Sequence, residues 1–343
     1  MLSLQPATFE EFEREAGRGN VVPVVRSVLA DLQTPVGAFL RVAEGARHAF
    51  LLESVEGGER IARHSFIGAA PELIVRGRGD NTLVEREGGE TEELRGVRAT
   101  DFLRDYFRVR RLARRPGLAP MAGGAVGYLA YDAARWFEPV LGRDLRPAGA
   151  RDDAVFMFFR TVLAFDRVRQ QIEITSVVLT EEAAGSRERL RALYDAAVDE
   201  TARVEALLSG GAALPPGGGG AEGDGRGSFE SNWSREGFEA GVARIKEHIA
   251  AGDCYQAVLS QRFSKACDVD PVQIYRALRA TNPSPYMYFL RLGGEAVVGA
   301  SPEMLVRCRG QRLDYRPIAG TRRRGATETE DWLLGEEMRA DEK

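Results

Sequence analysis

Short runs rich in β-branched and aromatic residues dominate the first part of the chain and predict β-strands. These runs cover residues 48–55, 64–77 and 82–87, and a longer stretch covers 154–179. The longer stretch holds two strand patterns, which the polar segment 167–170 separates. Such a short polar break between two apolar runs predicts an antiparallel hairpin.

Helical spacing of apolar residues marks four other segments. One covers residues 100–112, and a second closes the first part of the chain before Gly210. The apolar positions of this second segment are Leu190, Leu193, Tyr194, Ala197 and Val198. A third helix is predicted between Ser234, whose hydroxyl suits an N-cap, and Gly252, which ends it. A fourth covers residues 271–281.

A boundary between two domains is predicted where the composition changes. Residues 209–228 are rich in Gly and Pro and lack apolar periodicity. Such a segment cannot repay the entropy of ordering, so it is interpreted as a flexible linker or a long loop. We therefore expect an N-terminal domain at 1–208, a linker at 209–230 and a C-terminal domain at 231–343.

Strand patterns follow one another in the C-terminal domain with few helices between them. They lie at 255–266, 286–292, 295–300, 303–308 and 312–320. Adjacent strands of this kind favour an α+β fold with large antiparallel sheets over a doubly wound parallel sheet.

Composition and charge narrow the function classes. At 44% apolar and 29% charged residues, the 343-residue chain is typical of a globular protein. Its 51 acidic and 47 basic residues are well mixed, so no nucleic acid or membrane is expected as a partner. No apolar run approaches the roughly 20 residues that span a bilayer, and the start lacks a secretory signal, so a cytoplasmic protein is expected. Three Cys without a CxxC pair argue against a disulfide framework or a zinc site.

Two motifs invite a phosphate-binding interpretation. The Gly-rich segment 123–132 fits neither GxGxxG nor a Walker loop, so we expect close backbone packing at Gly123, Gly124 and Gly127. The basic run at 108–115 is interpreted as a solvated helix end, with a phosphate contact as the alternative.

Candidate chemistry is concentrated after residue 280. Pro283 and Pro285 fix a non-helical turn, which is either a plain strand entry or the wall of a small-ligand pocket. Glu303 follows an apolar strand and is either an exposed charge or, if burial raises its pKa, a general acid. The pair Gly320 and Thr321 offers an open backbone N–H and a hydroxyl, which suit binding of a carboxylate.

Seven motifs, in the order in which they occur along the chain, resemble those of the large subunit of anthranilate synthase, which belongs to the chorismate-utilising enzymes. The motifs are LLESVEGG (51–58), RHSFIG (63–68), GGAVGYLAYD (123–132), GDCYQAVLSQRF (252–263), NPSPYMYFL (282–290), VVGASPEMLVR (297–307) and RPIAGTRRRG (316–325). The resemblance implies an N-terminal regulatory domain and a C-terminal chorismate-binding domain, which together form antiparallel sheets flanked by helices.

The resemblance also implies a reaction. Chorismate and ammonia, which a glutamine amidotransferase subunit supplies, give anthranilate and pyruvate with Mg²⁺ in the first step of tryptophan biosynthesis. A general acid must protonate the leaving hydroxyl, and the family motif assigns this role to Glu303. Relatives that add water carry a lysine base at the position of Gln256, whereas neutral Gln256 fits ammonia, whose lone pair needs no base. Gly320 and Thr321 correspond to chorismate contacts.

A tryptophan feedback pocket is a further implication of the resemblance. Ser54, Pro285, Tyr286 and Met287 correspond to contacts of the inhibitor, and Glu53 is a partner for its amine. Such control requires that L-tryptophan bind two states of the protein with different affinity.

The chain ends at Lys343, whereas sequences of the family continue. The magnesium-binding glutamates and the base of the second step are expected in that continuation, so no metal ligand is assigned here and the 343-residue chain is expected to be inactive alone. Two alternatives stay open. One is aminodeoxychorismate synthase, whose members typically carry a Lys at the position of Ala319, and the other is a tryptophan-binding or partner-binding module without catalysis.

Overall fold

The chain forms two compact units. The computed structural model describes residues 3–55, 63–142, 151–210, 229–315 and 322–340. One unit combines Met1–Leu214 with Tyr275–Lys343, and the other is Pro215–Ile274. The linker predicted at 209–230 falls largely outside the described residues, and the domain limits drawn around it stay predictions.

Among the described residues of the whole chain, strands outnumber helices. In chain order the strands are β1 (Ser3–Gln5), β2 (Val21–Leu29), β3 (His48–Glu53), β4 (His64–Ala69), β5 (Leu73–Arg78), β6 (Asn81–Arg86), β7 (Thr91–Arg95), β8 (Gly124–Leu129), β9 (Ala154–Phe159), β10 (Thr161–Asp166), β11 (Gln171–Leu179), β12 (Glu230–Ser231), β13 (Phe263–Ser264), β14 (Tyr286–Leu292), β15 (Glu295–Ser301), β16 (Arg307–Arg309) and β17 (Arg312–Asp314). The helices are α1 (Phe9–Ala16), α2 (Pro35–Val42), α3 (Ala99–Arg108), α4 (Arg187–Ser209), α5 (Arg235–Ala251), α6 (Pro271–Thr281) and α7 (Glu328–Ala340). None of the helices that the structure describes is both long and apolar enough to cross a bilayer.

An eight-stranded sheet is the largest element of the fold. Its strand order is β1-β2-β11-β10-β4-β3-β14-β15, and every neighbouring pair is antiparallel. The predicted hairpin is confirmed, because β10 and β11 pair with Phe165 opposite Ile172. Strands β14 and β15, which come late in the chain, pair beside the early strand β3.

A five-stranded antiparallel sheet, in the order β7-β6-β5-β9-β8, shares a buried core with the larger sheet. Phe50 and Leu290 enter this core from the larger sheet, and Val126 and Met157 enter it from the smaller one. The rings of Phe50 and Phe159 meet edge to face, with centroids 4.8 Å apart. Burying these side chains between the sheets fixes which face of each strand points inward.

Helices cover the outer faces of both sheets. Phe12 of α1 and Tyr194 of α4 contact each other, with ring centroids 5.1 Å apart, and pack on Val22 and Val24 of β2. Ala99 of α3 packs on the other side, against the smaller sheet. The predicted α+β fold, with large antiparallel sheets flanked by helices, is therefore confirmed.

The Gly-rich segment 123–132 contains β8. A Cβ atom placed on Gly127 would lie 1.8 Å from the carbonyl oxygen of Val155 in β9. Only a residue without a side chain permits this approach, which confirms the interpretation of close backbone packing at Gly127. At Gly124 the interpretation is wrong, because no atom lies within 4 Å of the position that a Cβ atom would occupy.

The basic run at 108–115 differs from its prediction. Helix α3 ends at Arg108, and the side chains of Arg110 and Arg115 are only 17% and 11% exposed. Arg110 lies 2.7 Å from a carboxylate oxygen of Glu181, and Arg115 lies 3.0 Å from one of Glu15. The interpretation of a solvated helix end is wrong for these two residues, because acidic partners distant in sequence hold them against the protein.

Helix α5 is the main element of the smaller unit. The hydroxyl of Ser234 accepts a hydrogen bond from the backbone N–H of Gly237 at 3.0 Å, and Gly252 ends the helix with φ of +84°. Both predicted helix boundaries are confirmed. Glycine adopts this left-handed conformation without the steric cost that a side chain brings.

Two predicted strands prove much shorter. The strand predicted over 255–266 is reduced to Phe263–Ser264, and the one predicted over 303–308 is observed as Arg307–Arg309. In the first case Tyr255 and Val258 are exposed within the described part of their unit. Side chains without a packing surface do not stabilise a strand, whatever their intrinsic preference.

Candidate functional site

Three neighbouring strands bring the residues predicted to bind tryptophan to one end of the eight-stranded sheet. Glu53 of β3 pairs with Met287 of β14, which pairs in turn with Ala300 of β15. Tyr286 lies opposite Ser301 in the same ladder. Ser301, two residues before Glu303, therefore lies directly beside Tyr286, the residue that follows the Pro-rich turn.

Alternation along β14 decides which side chains face this site. Met287 is 1% exposed, and Phe289 lies on the same face, where its ring packs against Phe39 and Tyr275 with centroids 5.4 Å and 5.9 Å away. Leu290 points to the opposite face and joins the core between the sheets. The period of two thus places Met287 beside Glu53 on the outer, helix-covered face.

Two hydrogen bonds join the loop after β3 to the turn before β14. The hydroxyl of Ser54 donates to the carbonyl oxygen of Pro285 at 2.5 Å. The backbone N–H of Val55 donates to the carbonyl oxygen of Ser284 at 3.1 Å. The two segments predicted to share a pocket are therefore in direct contact, and proline stiffens the turn between them.

Glu53 carries the most buried charge of the site, since its side chain is 0% exposed. One carboxylate oxygen accepts hydrogen bonds from the hydroxyl of Tyr275 at 2.6 Å and from Nε of Arg279 at 3.0 Å. The other lies 3.6 Å from Nη2 of Arg167. The carboxylate predicted to bind a ligand amine is thus occupied by protein donors in this structure.

Tyr275 remains a hydrogen-bond donor at any ordinary pH. Burial raises the pKa of its hydroxyl well above the usual range, and the negative charge of Glu53 raises it further. Loss of the proton would place two negative charges side by side in a buried position, which is unfavourable.

A second buried carboxylate, that of Asp166, lies at the same end of the sheet. It accepts hydrogen bonds from Nη2 of Arg63 at 2.6 Å and from the backbone N–H groups of Val168 at 3.0 Å and Arg169 at 3.1 Å. Burial alone raises its pKa, but the hydrogen bonds from Arg63 and from the backbone of Arg169 outweigh burial and hold the pKa below the usual range. His64, opposite Asp166 in the ladder, has a lowered pKa because it is half buried.

Glu303 is exposed at the end of the site, two residues after β15. Its backbone N–H donates to the hydroxyl of Ser301 at 3.4 Å, and that hydroxyl donates back to the carbonyl oxygen of Glu303 at 3.0 Å. This compact turn fixes the backbone from which the carboxyl projects, and its role as a general acid stays a prediction.

The remaining predicted site residues lie in the smaller unit or outside the described residues. Gln256 belongs to the smaller unit, where it is exposed. Gly320 and Thr321, predicted to contact chorismate, lie outside the described residues, as does Ala319. Their roles stay predictions.

Sequence reasoning missed the three donors around Glu53. Tyr275 and Arg279 are separated from Glu53 by 222 and 226 positions, and Arg167 belongs to the turn of a predicted hairpin. The one local signal is that Tyr275 and Arg279 are four residues apart and so share a helix face. That spacing alone does not reveal which carboxylate they meet.

The described residues do not fit a magnesium ion. No group of three or more His, Cys, Asp or Glu side chains in this part of the structure is arranged to hold a metal. Because Mg²⁺ needs several oxygen ligands, we derive no chemical step through it from these residues.

Comparison with known proteins gives a consistent result. Residues 47–343 match the family model described as chorismate binding enzyme. The chain is 37% identical to anthranilate synthase component 1 of Cereibacter sphaeroides over 98% of this chain and 66% of that protein. It is 40% identical to the Thermus thermophilus protein of the same name, over 94% of this chain and 64% of that protein.

A solved structure agrees with these relatives. The crystal structure of anthranilate synthase component I from Streptococcus pneumoniae matches with a TM-score of 0.62 and 25% identity, over 92% of this chain and 64% of that chain. The chain therefore spans about two thirds of the length of the curated relatives it matches.

Proposed function

The chain belongs to the chorismate-binding enzyme family, and on that premise we propose that the whole protein is the large subunit of an anthranilate synthase. It converts chorismate and ammonia to anthranilate and pyruvate, and a glutamine amidotransferase subunit supplies the ammonia. The names of the relatives support the reaction. Neutral Gln256, where relatives that add water carry a base, supports ammonia rather than water as the nucleophile.

Glu303 is the proposed general acid for loss of the ring hydroxyl. Hydroxide leaves slowly near neutral pH, so protonation of the leaving oxygen by a positioned acid accelerates this step. The turn of Ser301 and Glu303 supports the proposal because it holds the backbone at the end of β15. Gly320 and Thr321 are the proposed contacts for a chorismate carboxylate.

L-Tryptophan is the proposed feedback inhibitor, and it binds where β3 and β14 meet. Met287 supplies apolar contact for the indole ring. Ser54 and Pro285 form one wall of the binding site, and Tyr286 is the first residue of β14. Glu53 pairs with the ligand's ammonium group. Because Arg279 and Tyr275 already bind Glu53, the ligand must displace at least one of these donors.

A single observation carries the regulatory part of the proposal. The ladder places Glu53, Met287 and Ala300 in one row across three strands, and Glu303 follows three residues after Ala300. A ligand that moves the end of β14 therefore acts on the turn that carries the proposed acid. Inhibition then follows if tryptophan binds more tightly to the arrangement in which Glu303 is misplaced.

Calorimetry with L-tryptophan tests the binding site on the chain itself. We expect Ser54→Ala and Met287→Ala to weaken binding at least about tenfold, because they remove a hydrogen bond and a buried apolar contact respectively. Ser209→Ala, at the exposed end of α4, is the matched control and should bind like the wild type. Equal affinity of all four proteins would contradict the proposed site.

Turnover tests the catalytic part. In the whole protein with chorismate, ammonium and Mg²⁺, Glu303→Gln should reduce anthranilate formation by about 100-fold or more with little change in chorismate binding. Unchanged turnover would remove Glu303 from this role. An amino-chorismate product in place of fluorescent anthranilate would favour the aminodeoxychorismate synthase alternative.

A further inference from the structure

A cavity of about 190 Å³ lies at the corner where the chain passes from β9 to β10, from the smaller sheet into the larger one. It is separate from the site at the ends of β3 and β14. Its walls come from the end of α3, the basic run that follows α3, and the start of β8. This basic run, residues 108–115, is the segment for which the sequence suggested a phosphate contact as the alternative to a solvated helix end.

One wall of the corner cavity is aromatic. The rings of Tyr106 and Phe158 meet edge to face with centroids 4.7 Å apart, and the ring of Phe107 stacks on Phe158 at 5.9 Å with an interplanar angle of 10°. Gly124, with φ of +127°, also lines the cavity. No atom lies within 4 Å of the position that a Cβ atom would occupy on this residue. This side of the cavity is therefore lined by aromatic rings.

A guanidinium group with one unused donor lies against the aromatic wall. Arg110 donates through Nη1 to the carbonyl oxygen of Tyr106 and through Nη2 to Glu181, both at 2.7 Å, and it lies 3.6 Å over the ring of Tyr106. Its Nε is buried and has no acceptor among the described residues. A buried donor left without an acceptor is unfavourable, so an anion that reaches it is stabilised.

A second arginine at the cavity can donate hydrogen bonds to a ligand. The exposed side chain of Arg114 makes no hydrogen bond or ion pair with the described residues. Arg160, in contrast, is bound to Glu72 and Glu182. Burial and the charge of Glu72 raise the pKa of Tyr106 to about 12, so its hydroxyl stays neutral and donates to Glu72 at 3.3 Å.

The charges around the cavity allow at most one negative charge on a ligand, next to Arg114. Arg160 is shared by Glu72 and Glu182, and Arg110 pairs with Glu181, so these groups together with Arg114 are neutral overall. Among the described residues, the side chain of Arg114 has no acidic partner and is the positive group that a ligand can reach. A multiply charged, strongly hydrated anion such as phosphate would lose its water against aromatic walls without equivalent compensation. A ligand with a flat aromatic ring and one carboxylate can pack its ring on the aromatic side chains while the carboxylate accepts hydrogen bonds from arginine.

We propose that the corner cavity binds a small aromatic monocarboxylate. Its ring lies against Phe107 and Phe158, and its carboxylate accepts hydrogen bonds from Arg114 and, after a small side-chain movement, from Nε of Arg110. Charge-assisted hydrogen bonds of this kind are shorter and stronger than neutral ones.

Calorimetric titration with benzoate tests the proposal. Wild-type chain binds one benzoate, and Arg114→Gln weakens binding at least about tenfold. Arg111→Gln removes the same charge from the neighbouring exposed surface and is the matched control, with an affinity within about twofold of the wild type. Absence of wild-type binding, or equal losses in the two variants, overturns the proposal.

A second set of measurements separates the corner cavity from other sites. Phe107→Ala weakens benzoate binding about fivefold or more because it removes part of the aromatic wall. Met287→Ala, in the proposed tryptophan site, retains wild-type affinity for benzoate. Binding of inorganic phosphate in place of benzoate overturns the aromatic part of the proposal, and loss of benzoate binding in Met287→Ala assigns the ligand to the other site.

Discussion

Glu53 and Asp166 are two buried carboxylates at the same end of the eight-stranded sheet, and they are held in different ways. Both residues are nearly inaccessible, at 3% and 5% exposure. Asp166 is fixed by two backbone N–H groups of its own hairpin turn and by Arg63. Among the described residues, Glu53 is held by the side chains of Tyr275, Arg279 and Arg167 alone.

The difference indicates which carboxylate is available to a ligand. Backbone donors in a hairpin turn cannot leave without breaking the turn, so Asp166 serves the fold. Side-chain donors can rotate away, and Arg279 and Arg167 remain about one third exposed. Glu53 can therefore exchange one cationic partner for another, which is what recognition of an ammonium group requires.

Glu53→Gln should give the largest effect. The neutral amide cannot form an ion pair with the ammonium group of L-tryptophan, so its Kd should rise about 100-fold in calorimetry. Glu13→Gln is a suitable control, because Glu13 makes only a surface pair with Arg187. A Kd that stays within twofold of the wild type would show that Glu53 is a structural carboxylate like Asp166.

Asp166→Asn should act on folding and leave tryptophan binding unchanged. Weakening the bonds to Arg63 and to the turn should lower the free energy of unfolding by about 2 kcal/mol at neutral pH, as measured with urea. Because the pKa of Asp166 is lowered in the folded protein, its stabilisation is present above the ordinary Asp pKa of 3.8 and is lost as pH falls through the folded value.

The pH dependence supplies the check on this assignment. The difference between wild type and Asp166→Asn should shrink as the pH is lowered below about 4. A difference that is constant across this range, or a parallel loss of tryptophan binding, would break the distinction between the two carboxylates.

Arg279→Met should strengthen tryptophan binding about tenfold, because the ligand's ammonium group no longer competes with the guanidinium for Glu53. Thermal unfolding should occur at lower temperature in the same variant, since Glu53 loses a charged partner. Arg203→Met, which breaks a surface pair on α4, should change neither property appreciably. Weaker tryptophan binding in Arg279→Met would mean that the arginine contacts the ligand instead of competing with it.

Tyr275→Phe should have the smallest effect. It removes one hydrogen bond to Glu53 and retains the ring that packs on Phe289, so the free energy of unfolding should fall by about 1 kcal/mol. Tyr288→Phe, on the opposite face of β14, is the matched control, with an expected change within about 0.5 kcal/mol. Equal changes in the two variants would argue against a net contribution from the bond to Glu53.

The local pattern of residues in the sequence was sufficient to predict much of the fold. Turn and cap residues identified α4, α5 and the β10–β11 hairpin, because each depends on neighbours in sequence. Strand β2 was not predicted, and its Pro23 is the reason, since proline is unusual inside a sheet. The structure tolerates it because β1 pairs only with residues 25–27 of β2 and does not reach Pro23.

The candidate site was only partly accessible to the same reasoning. Glu53, Ser54 and the segment Pro285–Met287 were found through motifs, and the structure places them together. The donors that occupy Glu53 come from a helix and a hairpin turn with no motif of their own. Tertiary pairing over more than 200 positions decides their role, and no local pattern contains that information.

The two-sided pairing of β14 has a mechanical consequence. A slip of one residue would turn Met287 and Phe289 toward the inner core and break both ladders at once. Sliding of β14 along its neighbours is therefore unfavourable, whereas a twist or splay of its end would keep the register. Because the ladder pairs Tyr286 directly with Ser301, a displacement of the strand end at Tyr286 is expected to move Ser301 with it.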